Sequence, residues 1–333
     1  MIVKLIKKKS PTVLIAVLFI AILLWGNSLN IYKNAISSSN DGNTLLFSLI
    51  NNYFAKINQA WLIYFVSFAL ISLQTFFITR INLKYSVVGT SSFIVAFIFI
   101  LLNGALVSHN YIHPLLIANI FLISAIEEIF TSVSKDNATN NIFNASLLIA
   151  FSSLFFFNYI YLLLFLIVSI FITGEHIIKE ILASILAFIT IYLLLIFIYF
   201  LFTGSFLDLW ESIRSEFVIN YKFEKQTVSR IIFWSITSLI IIISLTFTIQ
   251  TIMQKKTEVR LYYQILIVLF ISILALFIFT RINIYMFYFA LSIPATFTIS
   301  NYLQNEKKKL RANLVFAALV LLIAYNHFIF RLF

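Results

Sequence analysis

The sequence predicts an all-α, polytopic bundle of transmembrane helices. Hydrophobic residues make up 62% of its 333 residues and charged residues only 11%, and the mean hydropathy is +1.03. A soluble domain of this size has too little interior to bury so much apolar surface. The apolar runs are continuous and about as long as a bilayer's hydrocarbon core of roughly 30 Å, which favours helices over a membrane β-barrel.

We predict about eleven spans, within a range of roughly nine to twelve, in a single transmembrane domain that covers residues 1–333. The predicted spans are residues 11–29, 60–79, 87–107, 114–132, 144–157, 159–173, 181–202, 231–250, 261–280, 284–300 and 312–330. Residues 1–10 are basic, and no small-x-small cleavage site follows the first apolar run. We therefore expect a retained first helix rather than a signal peptide.

The distribution of basic residues predicts which way the chain crosses the membrane. With the N-terminus in the cytosol, fifteen of the 23 lysines and arginines fall in cytosolic segments and eight fall outside.

The formal charge of +11 would suit a protein that binds nucleic acid. However, the run Lys307–Lys309 lies between two apolar spans, as in a cytosolic loop, so we predict no nucleic-acid partner.

Two longer connections on the outer side, residues 30–59 and 204–230, each contain an amphipathic stretch. These stretches cover residues 44–57 and 208–221, and their apolar positions recur at helical spacing. Such helices lie in the membrane interface, in contact with lipid. The alternative is that they pack on the bundle and bind nothing.

Few residues suggest chemistry. His109 and His113 have the i,i+4 spacing of a metal pair, but Pro114 disfavours a helical His113, so we predict a solvated turn, no metal site and no cofactor. Glu127 and Glu128 follow an apolar run, where charge is costly and tends to be functional, but Lys135 follows closely and favours a place at the cytosolic interface. Helix geometry allows one of the two glutamates to face the bundle while the other reaches water.

Residues 115–173 carry a family resemblance through Leu-Ile-Ala-Asn-Ile-Phe-Leu and Asn-Ile-Phe-Asn-Ala-Ser-Leu-Leu-Ile-Ala-Phe-Ser-Ser-Leu-Phe-Phe-Phe. This stretch resembles an uncharacterised family of polytopic inner-membrane proteins of Bacteroidota. The resemblance implies a multi-pass protein of the bacterial inner membrane and implies no chemistry.

A second, looser resemblance is to the membrane glycosyltransferases that use lipid-linked sugars, the GT-C superfamily. Its marks are a long first outer loop with an acid (Asp41), a short paired helix near residues 145–154, and Tyr-Met-Phe-Tyr-Phe-Ala-Leu-Ser-Ile-Pro at residues 285–294. The resemblance implies a GT-C-like arrangement of helices. It implies that Asp41 is a catalytic residue, a general base or a group that positions the acceptor, and that Arg281 holds the phosphate of a polyprenyl-phosphate sugar. From the residues alone, Asp41 is also explained as a solvated turn residue and Arg281 as an interfacial arginine.

Three functions remain open from the sequence. The first is a GT-C-like glycosyltransferase that acts on the outer side of the inner membrane. The second is a non-catalytic membrane subunit that docks a partner from a cell-envelope assembly or secretion machine. The third is a transporter of a small molecule or lipid.

Overall fold

Helices provide all the regular secondary structure in the part of the chain that the computed structural model describes. That part comprises residues 46–47, 60–89, 93–104, 113–133, 135–173, 176–203, 228–280 and 282–332. In chain order the helices are α1 (Ala60–Tyr85), α2 (Ile94–Gly104), α3 (Pro114–Ser132), α4 (Thr139–Phe155), α5 (Leu162–Thr173), α6 (Ile177–Thr203), α7 (Val228–Thr251), α8 (Thr257–Thr280), α9 (Ile284–Asn305) and α10 (Lys309–Leu332). Short 3₁₀ helices lie at Phe157–Tyr161 and Ile252–Gln254.

Five of the described helices are long and apolar enough to cross a membrane, which confirms the expected class of multi-pass, all-helical membrane protein. These five segments are Phe65–Tyr85, Pro114–Ser132, Ile177–Leu201, Arg230–Gln254 and Thr257–Thr280. The larger number of about eleven spans stays a prediction. Its first span, residues 11–29, lies outside the described residues, as do both amphipathic stretches apart from Leu46 and Phe47.

The start of α3 follows from its sequence. Pro114 occupies the first turn, where its missing N–H costs no hydrogen bond, and His113 before it is extended, with φ −119° and ψ 158°. The prediction that His113 is not helical is therefore confirmed. The prediction that it lies in a solvated turn is wrong, because the residue is only 3% exposed.

The turn between α1 and α2 replaces the beginning of the predicted span 87–107. Gly89 has φ +99°, which favours glycine, and its N–H donates to the Ser86 carbonyl over 2.9 Å. The Asn82 side chain accepts from the Val88 N–H over 3.1 Å and closes the turn. Gly89 is thus a turn residue, and the second helix begins only at Ile94.

Helix α9 is the centre of the packing, in contact with α2, α3, α7, α8 and α10. It carries a series of buried hydroxyl and amide side chains, and several of them find hydrogen-bond partners inside the protein. Ser292 and Thr296 donate to the carbonyls of Phe289 and Ser292 over 2.7 and 2.6 Å. Because those bonds satisfy the two hydroxyls, α9 can carry them in the interior of the protein.

The helix ends meet in two groups that we call the basic end and the aromatic end. At the basic end, Tyr85 of α1 packs on Phe130 of α3 and Tyr262 of α8, with ring centroids 5.6 and 5.3 Å apart. At the aromatic end, Trp234 of α7 packs on Tyr288 of α9 with ring centroids 4.9 Å apart. The lysines and arginines of the described helix connections gather at the basic end, as the alternation of basic segments predicts.

This arrangement predicts from which side of the membrane an introduced cysteine can be labelled. The chain has no native cysteine, so only the introduced one reacts. Lys256→Cys and Lys308→Cys replace exposed residues of the basic end, and Val228→Cys replaces a residue that is exposed at the start of α7. A membrane-impermeant maleimide should label the first two from one side of the membrane and Val228→Cys from the other. Labelling of all three from the same side would contradict the arrangement, and the cysteine-free parent is the control.

Candidate functional site

The two residues that the GT-C resemblance implicates, Asp41 and Arg281, both lie outside the described residues. Their proximity therefore stays a prediction. Of the neighbours of Arg281 in the chain, Thr280 is the last residue of α8, and Ile282 lies in the short connection between α8 and α9. That connection reaches the aromatic end, where the structure gathers a second set of polar and aromatic side chains.

Four side chains of α7 and α9 form a cluster at the aromatic end. The indole of Trp234 packs edge-on against Tyr285 and Tyr288, with ring centroids 5.6 and 4.9 Å away. The guanidinium carbon of Arg230 lies 5.7 Å from the centroid of Tyr285. Each helix presents these residues on one face, because Arg230 precedes Trp234 by one turn and Tyr285 precedes Tyr288 by one turn. We call these four residues the Arg230 cluster.

Two polar atoms of the Arg230 cluster are buried without a hydrogen-bond partner among the described residues. They are Nε1 of Trp234 and the hydroxyl of Tyr288, whose residue is only 4% exposed. A buried polar group without a partner costs on the order of 1–3 kcal/mol, so its persistence calls for an explanation. Both groups are hydrogen-bond donors beside an arginine, which is the donor chemistry that an anion or a sugar hydroxyl requires.

A further set of polar contacts connects the cluster to α3. The His113 ring packs on Phe289 with centroids 4.2 Å apart. One turn into α3, the amide of Asn119 accepts a hydrogen bond from the Tyr159 hydroxyl over 2.7 Å and donates to the Phe289 carbonyl over 3.4 Å. These contacts fix α9 against α3 beside the Arg230 cluster and so hold its tyrosines in place.

The described carboxylates all lie in the half of the bundle away from this cluster. Each is in or next to a helix end that belongs to the basic end, and together they are Glu127, Glu128, Asp136, Glu180, Glu258 and Glu306. The described part of the aromatic end thus combines a cation with neutral donors. That composition suits a negatively charged ligand and includes no carboxylate among the described residues.

Glu127 and Glu128 have separate partners at the basic end. One oxygen of Glu127 lies 3.2 Å from Arg80 and 3.1 Å from Lys84, both on α1, and the glutamate is only 13% exposed. Glu128 accepts from Asn141 of α4 over 2.6 Å, and Asn141 in turn accepts from Lys135 over 2.9 Å. These contacts tie α3 to α1 and α4, so we interpret both glutamates as structural. Their position beside three cations agrees with the interface that the sequence predicted.

Within the described residues, no three histidine, cysteine or acidic side chains group together as a metal site would require. Comparison of the chain with protein-family models, curated proteins and solved structures finds no match.

Sequence reasoning missed the Arg230 cluster, because its two halves lie far apart in the chain. A local signal did exist, since Arg230 and Trp234 stand one turn apart at the start of a span and Tyr285 and Tyr288 do so at the start of another. Aromatic and basic residues are common at membrane interfaces, however, so that signal does not separate a site from an anchor. Only the packing of α7 on α9 brings the four side chains together.

The ion pairs of Glu127 give a first prediction about stability. Glu127→Gln should lower the free energy of unfolding by about 1 kcal/mol, because Arg80 and Lys84 are roughly half exposed and remain hydrated when the carboxylate is lost. Thermal unfolding in detergent measures the change, and the difference should shrink in high salt. Glu258→Gln, an exposed carboxylate at the same end, is the control and should unfold like the wild type. A Glu127→Gln protein as stable as the wild type at low salt would show that the pairs contribute nothing.

Proposed function

We propose that this protein is a multi-pass protein of the bacterial inner membrane that binds a polyprenyl-phosphate-linked sugar at its aromatic end and acts as a GT-C-like glycosyltransferase. In this proposal the chain crosses the membrane about eleven times with its N-terminus in the cytosol. The basic end then faces the cytosol, and the aromatic end faces the periplasm. The concentration of described lysines and arginines at one end of the bundle supports this orientation.

The observation that carries the proposal is the composition of the Arg230 cluster. A phosphate group that bridges a lipid and a sugar presents oxygens that accept hydrogen bonds from an arginine, an indole N–H and a phenol. The cluster supplies all three, and two of them lack any described partner. Arg281, which follows α8 directly, would add a second cation to the same phosphate. The helix pair α4 and α5, joined by a 3₁₀ helix, also agrees with the paired short helices that the GT-C resemblance implies.

The proposed reaction needs a base and a cationic site for the leaving group. The acceptor hydroxyl oxygen attacks the anomeric carbon, the bond from that carbon to the phosphate oxygen breaks, and polyprenyl phosphate leaves with the bonding electrons. Asp41 receives the acceptor proton, while Arg230 and Arg281 stabilise the negative charge that develops on the phosphate. Because the described part of the aromatic end lacks a carboxylate, an acid from the first outer loop is the group that the reaction still requires.

A non-catalytic subunit is the second candidate, and α6 favours it. Only 17% of the α6 span is buried inside the protein, against 61% of the α3 span. A helix of a partner protein would cover this apolar face, and lipid covers it otherwise. The transporter hypothesis gains less support, because the described carboxylates lie toward one end of the bundle rather than at mid-membrane.

The proposed phosphate site predicts the effect of two substitutions on lipid binding. Arg230→Gln should weaken binding of a short polyprenyl phosphate by about tenfold or more, since a hydrogen bond from a charged donor is lost. Tyr288→Phe should weaken it by roughly two- to tenfold. Binding to the purified protein is measured by titration in detergent. Tyr262→Phe is the control, because that tyrosine is also buried but packs on Tyr85 at the basic end. Unchanged binding in both aromatic-end variants would refute the site.

The catalytic role of Asp41 separates the enzyme from the subunit. Asp41→Asn should lower the rate of sugar transfer by on the order of 10²–10⁴, the usual contribution of a general base, while polyprenyl phosphate still binds. If the protein is a subunit instead, cells that carry Asp41→Asn in place of the wild type should show no defect. If the wild type binds polyprenyl phosphate but transfers no sugar, the proposed enzyme activity is wrong and the proposed phosphate site is still supported.

A further inference from the structure

Lys255 lies at the basic end, in the short connection between α7 and α8, and is partly buried against α9. Its ammonium group donates a hydrogen bond to Oδ1 of Asn301 over 2.9 Å. It also lies 4.7 Å from the ring centroid of Tyr263, in the position of a cation–π contact. Asn301 is itself fully buried and fixed, because its amide nitrogen donates to the Thr248 hydroxyl over 3.0 Å.

All of these partners of Lys255 are neutral. The described ion pairs involve Glu127 with Arg80 and Lys84, and no described carboxylate pairs with Lys255. A lysine ammonium carries three N–H donors, and Asn301 receives one of them. Burial lowers the pKa of Lys255, which reflects the cost of holding its charge away from water. A partly buried charge of this kind is normally matched by an opposite charge.

Two buried hydroxyls on the same helices also lack hydrogen-bond partners among the described residues. They belong to Tyr263, whose ring receives the lysine, and to Ser300, the chain neighbour of Asn301. Both hydroxyls can donate to an acceptor. The amide of Asn305 donates to Asn301 over 2.7 Å, so the Asn301 oxygen is already shared by two donors and has little capacity left for others.

The surroundings of Lys255 are strongly basic and partly apolar. Lysines and arginines outnumber acids in the α7–α8 and α9–α10 connections and the first turns of α8 and α10. They are Lys255, Lys256, Arg260, Lys307, Lys308, Lys309 and Arg311 against Glu258 and Glu306. Two residues before Lys255, Met253 is 73% exposed, and one turn before Met253, Ile249 is also exposed. A ligand that satisfies both features has an anionic head and an apolar tail.

We propose that Lys255, with Asn301 and Tyr263 beside it, binds the phosphate of an anionic phospholipid headgroup, whose acyl chain lies along Ile249 and Met253. The lipid phosphate supplies the opposite charge that Lys255 lacks among the described residues. Negatively charged lipids are the natural partners of basic residues at a membrane surface. This site is at the opposite end of the bundle from the Arg230 cluster, and it holds whether or not the protein transfers sugars.

Native mass spectrometry of the purified protein tests the proposal. The full chain is reconstituted with phosphatidylglycerol or with phosphatidylcholine, and the retained lipid is counted. The wild type should retain one phosphatidylglycerol, and Lys255→Gln should need an about fivefold higher lipid concentration to retain the same amount. Lys256→Gln, which changes the exposed neighbouring lysine, should retain it like the wild type. Equal retention by Lys255→Gln and the wild type would overturn the site.

A second measurement on the wild type covers the outcome in which Lys255→Gln fails to fold. An amine-acetylating reagent should modify Lys255 several-fold more slowly in phosphatidylglycerol than in phosphatidylcholine, while Lys256 reacts at similar rates in both. Equal rates for Lys255 would overturn the proposal. Protection by inorganic phosphate in phosphatidylcholine to the level seen with phosphatidylglycerol would show a site for free phosphate, and the lipid assignment would fail.

Discussion

The absence of water from the bilayer interior is the constraint on which the rest of this structure depends. In hydrocarbon, a polar side chain must find its partner inside the protein. Along the described helices, hydroxyl groups such as those of Ser169, Thr248 and Ser272 donate to the carbonyl one turn earlier, over 2.8, 2.8 and 2.9 Å. Longer polar side chains join neighbouring helices instead, as Gln74 of α1 does when it donates to the Leu116 carbonyl of α3 over 2.7 Å. The bundle is therefore held together by packing and by a limited number of bonds between helices.

Against this background, the groups that lack partners indicate where another molecule belongs. At the aromatic end such groups include donors beside Arg230, and at the basic end they include hydroxyls on the helices that hold Lys255. The two places differ in what surrounds them. The described aromatic end holds no carboxylate. The basic end contains acids, but one of them, Glu127, already forms an ion pair with another lysine, Lys84. A ligand for either place has to bring negative charge.

The sequence was a good guide to the helices and a poor guide to the sites. Uninterrupted apolar runs and flanking basic residues predict spans, which is why the predicted segment 114–132 coincides with α3. Sites depend on which helices touch, and no local pattern encodes that α7 packs on α9. His113 shows the difference. Pro114 correctly predicts its extended backbone, but its burial depends on Phe289, which is remote in the chain. Asp41 and Arg281 remain predictions because they lie outside the described residues.

Pro294 gives α9 a point at which the helix can bend. Without an N–H, Pro294 cannot donate to the Ala290 carbonyl, so one backbone hydrogen bond is missing from the middle of the helix. A helix that lacks one backbone hydrogen bond bends most easily at that point. The segment that bears Tyr285 and Tyr288 can therefore tilt while the segment that bears Asn301 stays anchored. A ligand that binds at the aromatic end can therefore move Tyr285 and Tyr288 without displacing Asn301 at the basic end.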